Sequence, residues 1–225
     1  MSNLQLFIEG TLESLYMTLG STALAYLIGL PLGILLIVTE KPQDSDADSF
    51  KNKLLKGIHV ILGIIINILR SIPFVILLVV MIPVTRLVVG TTIGTNAAIV
   101  PLVVGAAPYV ARLVESSIKE VDKGVIEAAR SMGASTFQVI CKVLLPEARP
   151  SLLIGSAIAV TTIFGYTAMA GFIGGGGLGA IAINYGFIRY QTDIMFITLV
   201  LSIILVQILQ EILMRFARRS DKRSD

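Results

Sequence analysis

The sequence predicts an all-α polytopic membrane protein with five transmembrane helices and a helical hairpin on the cytoplasmic face. Three observations predict it. Of 225 residues, 55% are hydrophobic and only 15% charged, whereas soluble domains carry about 25% charged residues. The charges cluster, leaving charge-free windows at 14–39, 87–111, 150–188 and 194–210, plus 57–85 broken only by Arg70. Most of these reach the roughly 20 apolar residues that cross a bilayer. Basic residues, finally, collect in three segments: Lys41, Lys51, Lys53 and Lys56; Lys119, Lys123, Arg130, Lys142 and Arg149; and Arg215, Arg218, Arg219, Lys222 and Arg223. The excess of Lys and Arg makes these segments cytoplasmic. An odd number of spans then leaves the N-terminus outside and the C-terminus in the cytoplasm.

Helix one fills the first window. Glu9 and Glu13, and no basic cluster, precede it, so it is expected to be retained and not cleaved as a signal. EKPQDSDADSFKNK, residues 40–53, mixes proline with alternating charge and reads as a solvated loop. Helix two is expected from Ile58 to Met81. It contains RSIPF, in which Pro73 removes a backbone donor and Arg70 falls close to mid-membrane. The freed carbonyl and the guanidinium both need protein or water partners, which turns this helix toward the bundle interior. His59 at its start has no ligand partner of its own type, and no metal site is assigned.

Helix three, about Ile93 to Val114, includes GAAPYVAR, where small residues permit close helix approach and Pro108 bends the axis before Arg112. Helix four begins after Pro150. Its Ser156, Thr161, Thr162, Tyr166 and Thr167 are too many hydroxyls for a lipid-facing surface. Some are expected to line an interface or pathway, although a threonine can instead bond the carbonyl one turn back. The rest of window 150–188 lacks a second uninterrupted apolar 20-mer and is read as a loop. Helix five extends window 194–210 through Ile212, Leu213 and Met214, past Glu211. Cys141 is the single cysteine, which excludes an internal disulfide or a cysteine metal cage; packing is its expected role.

Between helices three and four, residues 116–149 are too polar to span and too patterned for a plain loop. Val125, Ala129 and Met132 share one helix face. Gly133 can close that helix in a left-handed conformation. Ser135 and Gln138 have capping-box spacing, and Phe137, Ile140 and Leu144 form the next apolar stripe up to Pro146. Amphipathic helices resting on headgroups would also show such stripes, but would require neither Glu127 nor the abrupt turn at Gly133.

The stretch EAARSMGASTFQVICKVLLP, residues 127–146, resembles the EAA signature of permease subunits of bacterial ATP-binding cassette importers. The match comprises Glu127, Ala128, Ala129, Gly133, Leu145 and Pro146, with Val143 where isoleucine is usual. RSIPF, MIPVTR, IVPLVVGAAPYVAR, GYTAMAG and GGGGLG with INYGF look like the methionine-importer branch, and this likeness covers nearly the whole chain. The resemblance implies one permease domain over residues 1–225 in the bacterial inner membrane, with a coupling helix over about Val125 to Phe137 that docks on a separate ATPase. It implies no catalysis and no cofactor on this chain, since ATP and Mg would be bound by the partner. The implied assembly is a homodimer with two ATPase subunits and an external substrate-binding lipoprotein, in contact with membrane lipid, carrying a small amino acid and no nucleic acid. Arg70, Pro73, Tyr166 and Met169 are candidates for the path or gate, Met169 because a polarizable thioether suits an apolar substrate side chain; core packing competes for each.

In FIGGGGLG, the positions Gly174, Gly176 and Gly179 satisfy a dinucleotide-binding spacing. That fingerprint requires a preceding strand, and no GxxxxGK[ST] occurs in the chain. Gly174, Gly175, Gly176, Gly177 and Gly179 are instead expected to form a compact external loop. Two other classes remain. An ion-coupled secondary transporter would place acids at mid-membrane and repeat its fold, whereas the charge-free windows hold no Asp or Glu and no repeat is visible. A membrane scaffold recruiting cytoplasmic proteins through the hairpin would lack ligand-stimulated ATPase activity.

Overall fold

The computed structural model describes residues 3–40 and 50–220, and no strand occurs among them. Among these residues, five helices are long and apolar enough to cross a membrane. Helix α1 (Asn3–Glu40) has 38 residues, about 57 Å at 1.5 Å per residue, nearly twice a hydrocarbon core of about 30 Å. It runs beside α5 (Thr95–Lys119), the most buried span. Gly29 and Gly33 make this approach possible: a Cβ on Gly29 would lie 2.9 Å from the Ala107 carbonyl oxygen, and one on Gly33 2.7 Å from that of Ala111. Both contacts advance by one turn together, so the two helices are parallel.

Helix α2 (Phe50–Ser71) departs from expectation in three ways. Its first turn takes up Phe50 to Lys53 of the expected loop; residues 41–49, like Lys222 and Arg223, lie outside the described residues. It stops before Pro73 and does not reach Met81, because proline disfavours helical geometry in the residue before it. The Pro73 carbonyl instead accepts the N–H groups of Ile76 and Leu77 at 2.9 and 3.0 Å, opening α3 (Phe74–Val80) and then α4 (Ile82–Val89). Arg70 therefore sits exposed in the last turn of α2 and not mid-helix. Nor does α2 face the interior of the chain: 6% of its apolar window is buried, the least of the five spans.

Past α5 come α6 (Lys123–Ser131), α7 (Thr136–Val139), a π-helical stretch Ile140–Leu144 and α8 (Leu145–Glu147), which leads into α9 (Arg149–Ala170). The segment after α9 is not a plain loop. A single 3-10 turn precedes α10 (Gly177–Ile181), which continues as a π-helical stretch to Phe187. At 11 residues, Gly177–Phe187 is too short to span. The last element among the described residues is α11 (Thr192–Ser220).

Candidate functional site

The hairpin ends α6 as its sequence suggests. Gly133 takes φ +81°; its N–H donates to the Arg130 carbonyl at 2.8 Å and that of Ala134 to the Ala129 carbonyl at 3.1 Å. This pair of bonds is a Schellman closure, in which a left-handed glycine satisfies carbonyls that the helix leaves open. Asp122 caps the other end, accepting the Gly124 N–H at 2.7 Å. The Ser135–Gln138 capping box is complete: the Gln138 side chain accepts the Ser135 N–H at 2.8 Å, and the Ser135 hydroxyl accepts the Gln138 N–H at 3.3 Å. The helix expected over Val125 to Phe137 is therefore two helices, with Phe137 on the second.

The apolar positions divide differently from the predicted stripes. Ala129, Val139 and Leu144 are buried and join Val110, Val114 and Ile118 of α5 in one core cluster. Val125, Met132 and Phe137 are exposed, Met132 by 82% and Phe137 by 74%. Of the signature residues, Glu127, Ala128 and Pro146 are exposed, Leu145 is half-buried and Ala129 packs inward. Ala129 thus serves the chain's own packing. Pro146 does not end the stripe, since helix continues through it. Cys141 is exposed, contrary to the packing role expected of it.

At the opposite end of the bundle, the glycine run folds against α1. Gly174, Gly176 and Gly177 take φ of +81°, +85° and +76°, a region costly to residues with a Cβ. The Glu13 carboxylate accepts the Gly177 N–H at 2.7 Å and the Ser14 hydroxyl accepts the Leu178 N–H at 2.8 Å. Helix α10 is thereby capped by side chains about 160 residues away, and a carboxylate there suits the positive end of the helix dipole. A cavity of about 210 Å³ lies beside this contact, lined by Glu9, Glu13, Gly176, Asn184 and Tyr185 among others.

The remaining candidates fall between the two ends. Tyr166 stacks on Phe74, with ring centroids 4.1 Å apart and planes 10° from parallel. Met169 is 39% exposed, on a face of α9 that also exposes Ile154 and Ile158. Ser156, Thr161, Thr162 and Thr167 each donate to a carbonyl of their own helix at 2.7 to 3.1 Å, so their polarity is absorbed locally. His59 Nδ1 lies 3.1 Å from the Leu36 carbonyl oxygen, which ties α2 to α1.

Residues 29–220 match the family of binding-protein-dependent transport system inner membrane components. The chain belongs to this family. It is 48% identical to a probable D-methionine transport system permease protein of Vibrio cholerae over 98% of this chain and 95% of that one. It is 50% identical to the D-methionine transport system permease protein of Escherichia coli K12 over 74% of this chain and 73% of that one. Its structure superposes on an inward-facing conformation of the MetNI methionine ABC transporter with a TM-score of 0.90 at 46% identity, covering 97% of each chain. The all-α, five-span architecture read from the charge-free windows is that of this inner membrane component.

Two features of the permease were missed in its sequence. Gly29 and Gly33 have the small-xxx-small spacing of close helix pairs, a readable signal. Arg112, Glu115 and Lys119 stand at i, i+3 and i+7 with alternating sign, the pattern of ion pairs along one helix face. By contrast, no local signal ties Glu13 to Gly177.

Proposed function

We propose that this chain is the permease subunit of an ATP-driven methionine importer, working as a homodimer with two ATPase subunits and an external binding lipoprotein. The observation that carries this reading is the hairpin. Its inner face packs Ala129, Val139 and Leu144 into a core cluster that also holds Val110, Val114 and Ile118 of α5, while Glu127, Ala128, Met132 and Phe137 are left exposed at its tip. A rigid lever with an unspent apolar and acidic face fits a groove on another protein, where Glu127 can anchor through charge-assisted hydrogen bonds. The relatives named for D-methionine transport and the MetNI fold support the choice of cargo. In this reading the hairpin faces the cytoplasm, and ATP with Mg binds on the partner.

The glycine run and the N-terminus then face outside, under the docking lipoprotein. The exposed face of α9 with Ile154, Ile158 and Met169, together with Arg70, Pro73 and Tyr166, is assigned to the side on which a second copy closes the path. Its largely apolar character suits a thioether side chain. Glu127→Ala and Gly133→Val chains, co-expressed with the cognate ATPase subunit, are expected to insert normally but recover at least about fivefold less ATPase, the effect of roughly 1 kcal/mol. Wild-type recovery and wild-type uptake of labelled methionine by both variants would refute the reading.

A further inference from the structure

Where α5 leads into the hairpin, ionic side chains from two helices and an amide from a third form one connected set. Arg112 Nη1 donates to Glu115 Oε2 at 2.6 Å, and Lys119 Nζ donates to Glu115 Oε1 at 2.8 Å. Lys119 Nζ also lies 2.9 Å from Glu40 Oε2 at the end of α1. Arg112 Nη2 donates to Asn67 Oδ1 on α2 at 2.9 Å and lies 3.5 Å from the Gly63 carbonyl oxygen. Three helices meet through these groups. The Glu115 side chain is 7% exposed, and both its oxygens are engaged.

A carboxylate so buried persists only with partners, yet such pairs are often no more stabilising than apolar residues of the same shape. Stability alone is therefore a weak reason for this cluster, and its position suggests another. The hairpin is joined to α5 by packing, because Val114 and Ile118 share a cluster with Ala129, Val139 and Leu144. Helix α1 is held along its length by the close approach at Gly29 and Gly33. Helix α2 has the least packing of the five spans, with Ile66 its buried contact to Leu36 and Ala111. It depends most on a polar tie to follow α5.

We propose that Glu115, acting through Arg112 and Lys119, is a positioning residue that binds α1 and α2 to α5, so that a displacement of the hairpin moves three helices as one body. The inference rests on the hairpin being the ATPase contact. With packing alone, α5 would shift under the hairpin while α2 lagged, and ATP would be hydrolysed without a matching opening of the path. Packed side chains, ionic networks and rigid helices with two discrete arrangements carry coupling between distant sites.

The test uses the complete transporter in vesicles, with ATP hydrolysed per methionine imported as readout, alongside ATPase recovery and thermal unfolding. Lys119→Met removes the links to Glu40 and Glu115, Asn67→Ala removes the side-chain link to α2, and Lys119→Arg keeps the charge. Asn67→Ala, which frees the least packed helix, is expected to raise the ratio at least about fivefold, the low end of a coupling energy between sites. Lys119→Met should raise it less, because α1 is also held by packing, and should lower melting, because Glu115 is left with Arg112 as its one cation among the described residues. Lys119→Arg should match wild type, and ATPase recovery should be unchanged in all three. An unchanged ratio in Lys119→Met and Asn67→Ala, or a loss of uptake in Asn67→Ala wholly matched by lower ATPase recovery or melting, overturns the proposal. Because Glu127→Ala tests docking through recovery and not through the ratio, failure of the hairpin reading is seen separately.

Discussion

Glu13 on the first helix accepts the backbone N–H of Gly177 at 2.7 Å. A side chain near one end of the sequence thus caps the short helix near the other. The contact fixes the glycine run against α1 and leaves α10 with a negative charge at its positive pole. Glu13→Ala is expected to destabilise the chain by about 1 kcal/mol, the usual effect of losing a helix cap. Exchange of the Gly177 amide, followed by hydrogen–deuterium mass spectrometry, should accelerate selectively, and equal protection in the variant would contradict the cap.

Gly33→Leu tests the α1–α5 contact. Its Cβ would lie 2.7 Å from both the Ala111 carbonyl oxygen and the Val114 Cβ, so the helices must part. Overpacking of this kind destabilises by about 1–3 kcal/mol or more, measured as a lower melting temperature in detergent. Gly20→Ala is the control, because its Cβ would come no closer than 3.6 Å to Ile99. Its melting temperature should not fall.

Tyr166 separates a packing role from a direct path role. Its ring stacks on Phe74, and such pairs contribute about 0.5–1.5 kcal/mol beyond buried area. Tyr166→Phe keeps the stack and is expected to leave melting and methionine uptake unchanged. Tyr166→Leu should lose at least about that much stability, read as a lower melting temperature. Lost uptake with unchanged melting in Tyr166→Phe would show that the hydroxyl itself acts on the solute.

Ser135→Ala removes one arm of the capping box, whose bond to the Gln138 N–H measures 3.3 Å. The hairpin is expected to lose about 1 kcal/mol locally. Proteolysis at the exposed turn around Gly133 is the measurement, and it should quicken in detergent while the membrane helices stay intact. A cleavage rate equal to wild type would mean that packing of Val139 and Leu144 alone holds the turn.

Much of this was legible because its causes are local. Charge-free windows mark spans wherever a charge in lipid is costly, and the five expected helices are present. Gly133, Ser135 and Gln138 act on backbone within a few residues, so their turn and cap follow from spacing. Pro73 was legible as an irregularity, but whether the chain bends or restarts depends on what receives it; here Phe74 finds Tyr166 and a new helix begins. Of the Phe137, Ile140 and Leu144 stripe, Ile140 and Leu144 pack into the core and Phe137 is exposed, because periodicity shows that a face is apolar and not which partner covers it.

By itself, the sequence determined the membrane class, the number of spans, the hairpin's turn and the family signature, all of which arise from solvation and from bonds spanning a few residues. Tertiary structure alone decided that the four-glycine run opens a short helix capped by Glu13, that α2 lies outermost, and that Glu40, Asn67, Arg112, Glu115 and Lys119 form one cluster. The physical reason is distance along the chain. Lys119 and Glu40 stand 79 positions apart and meet only because the glycine contacts of α1 lay it parallel to α5.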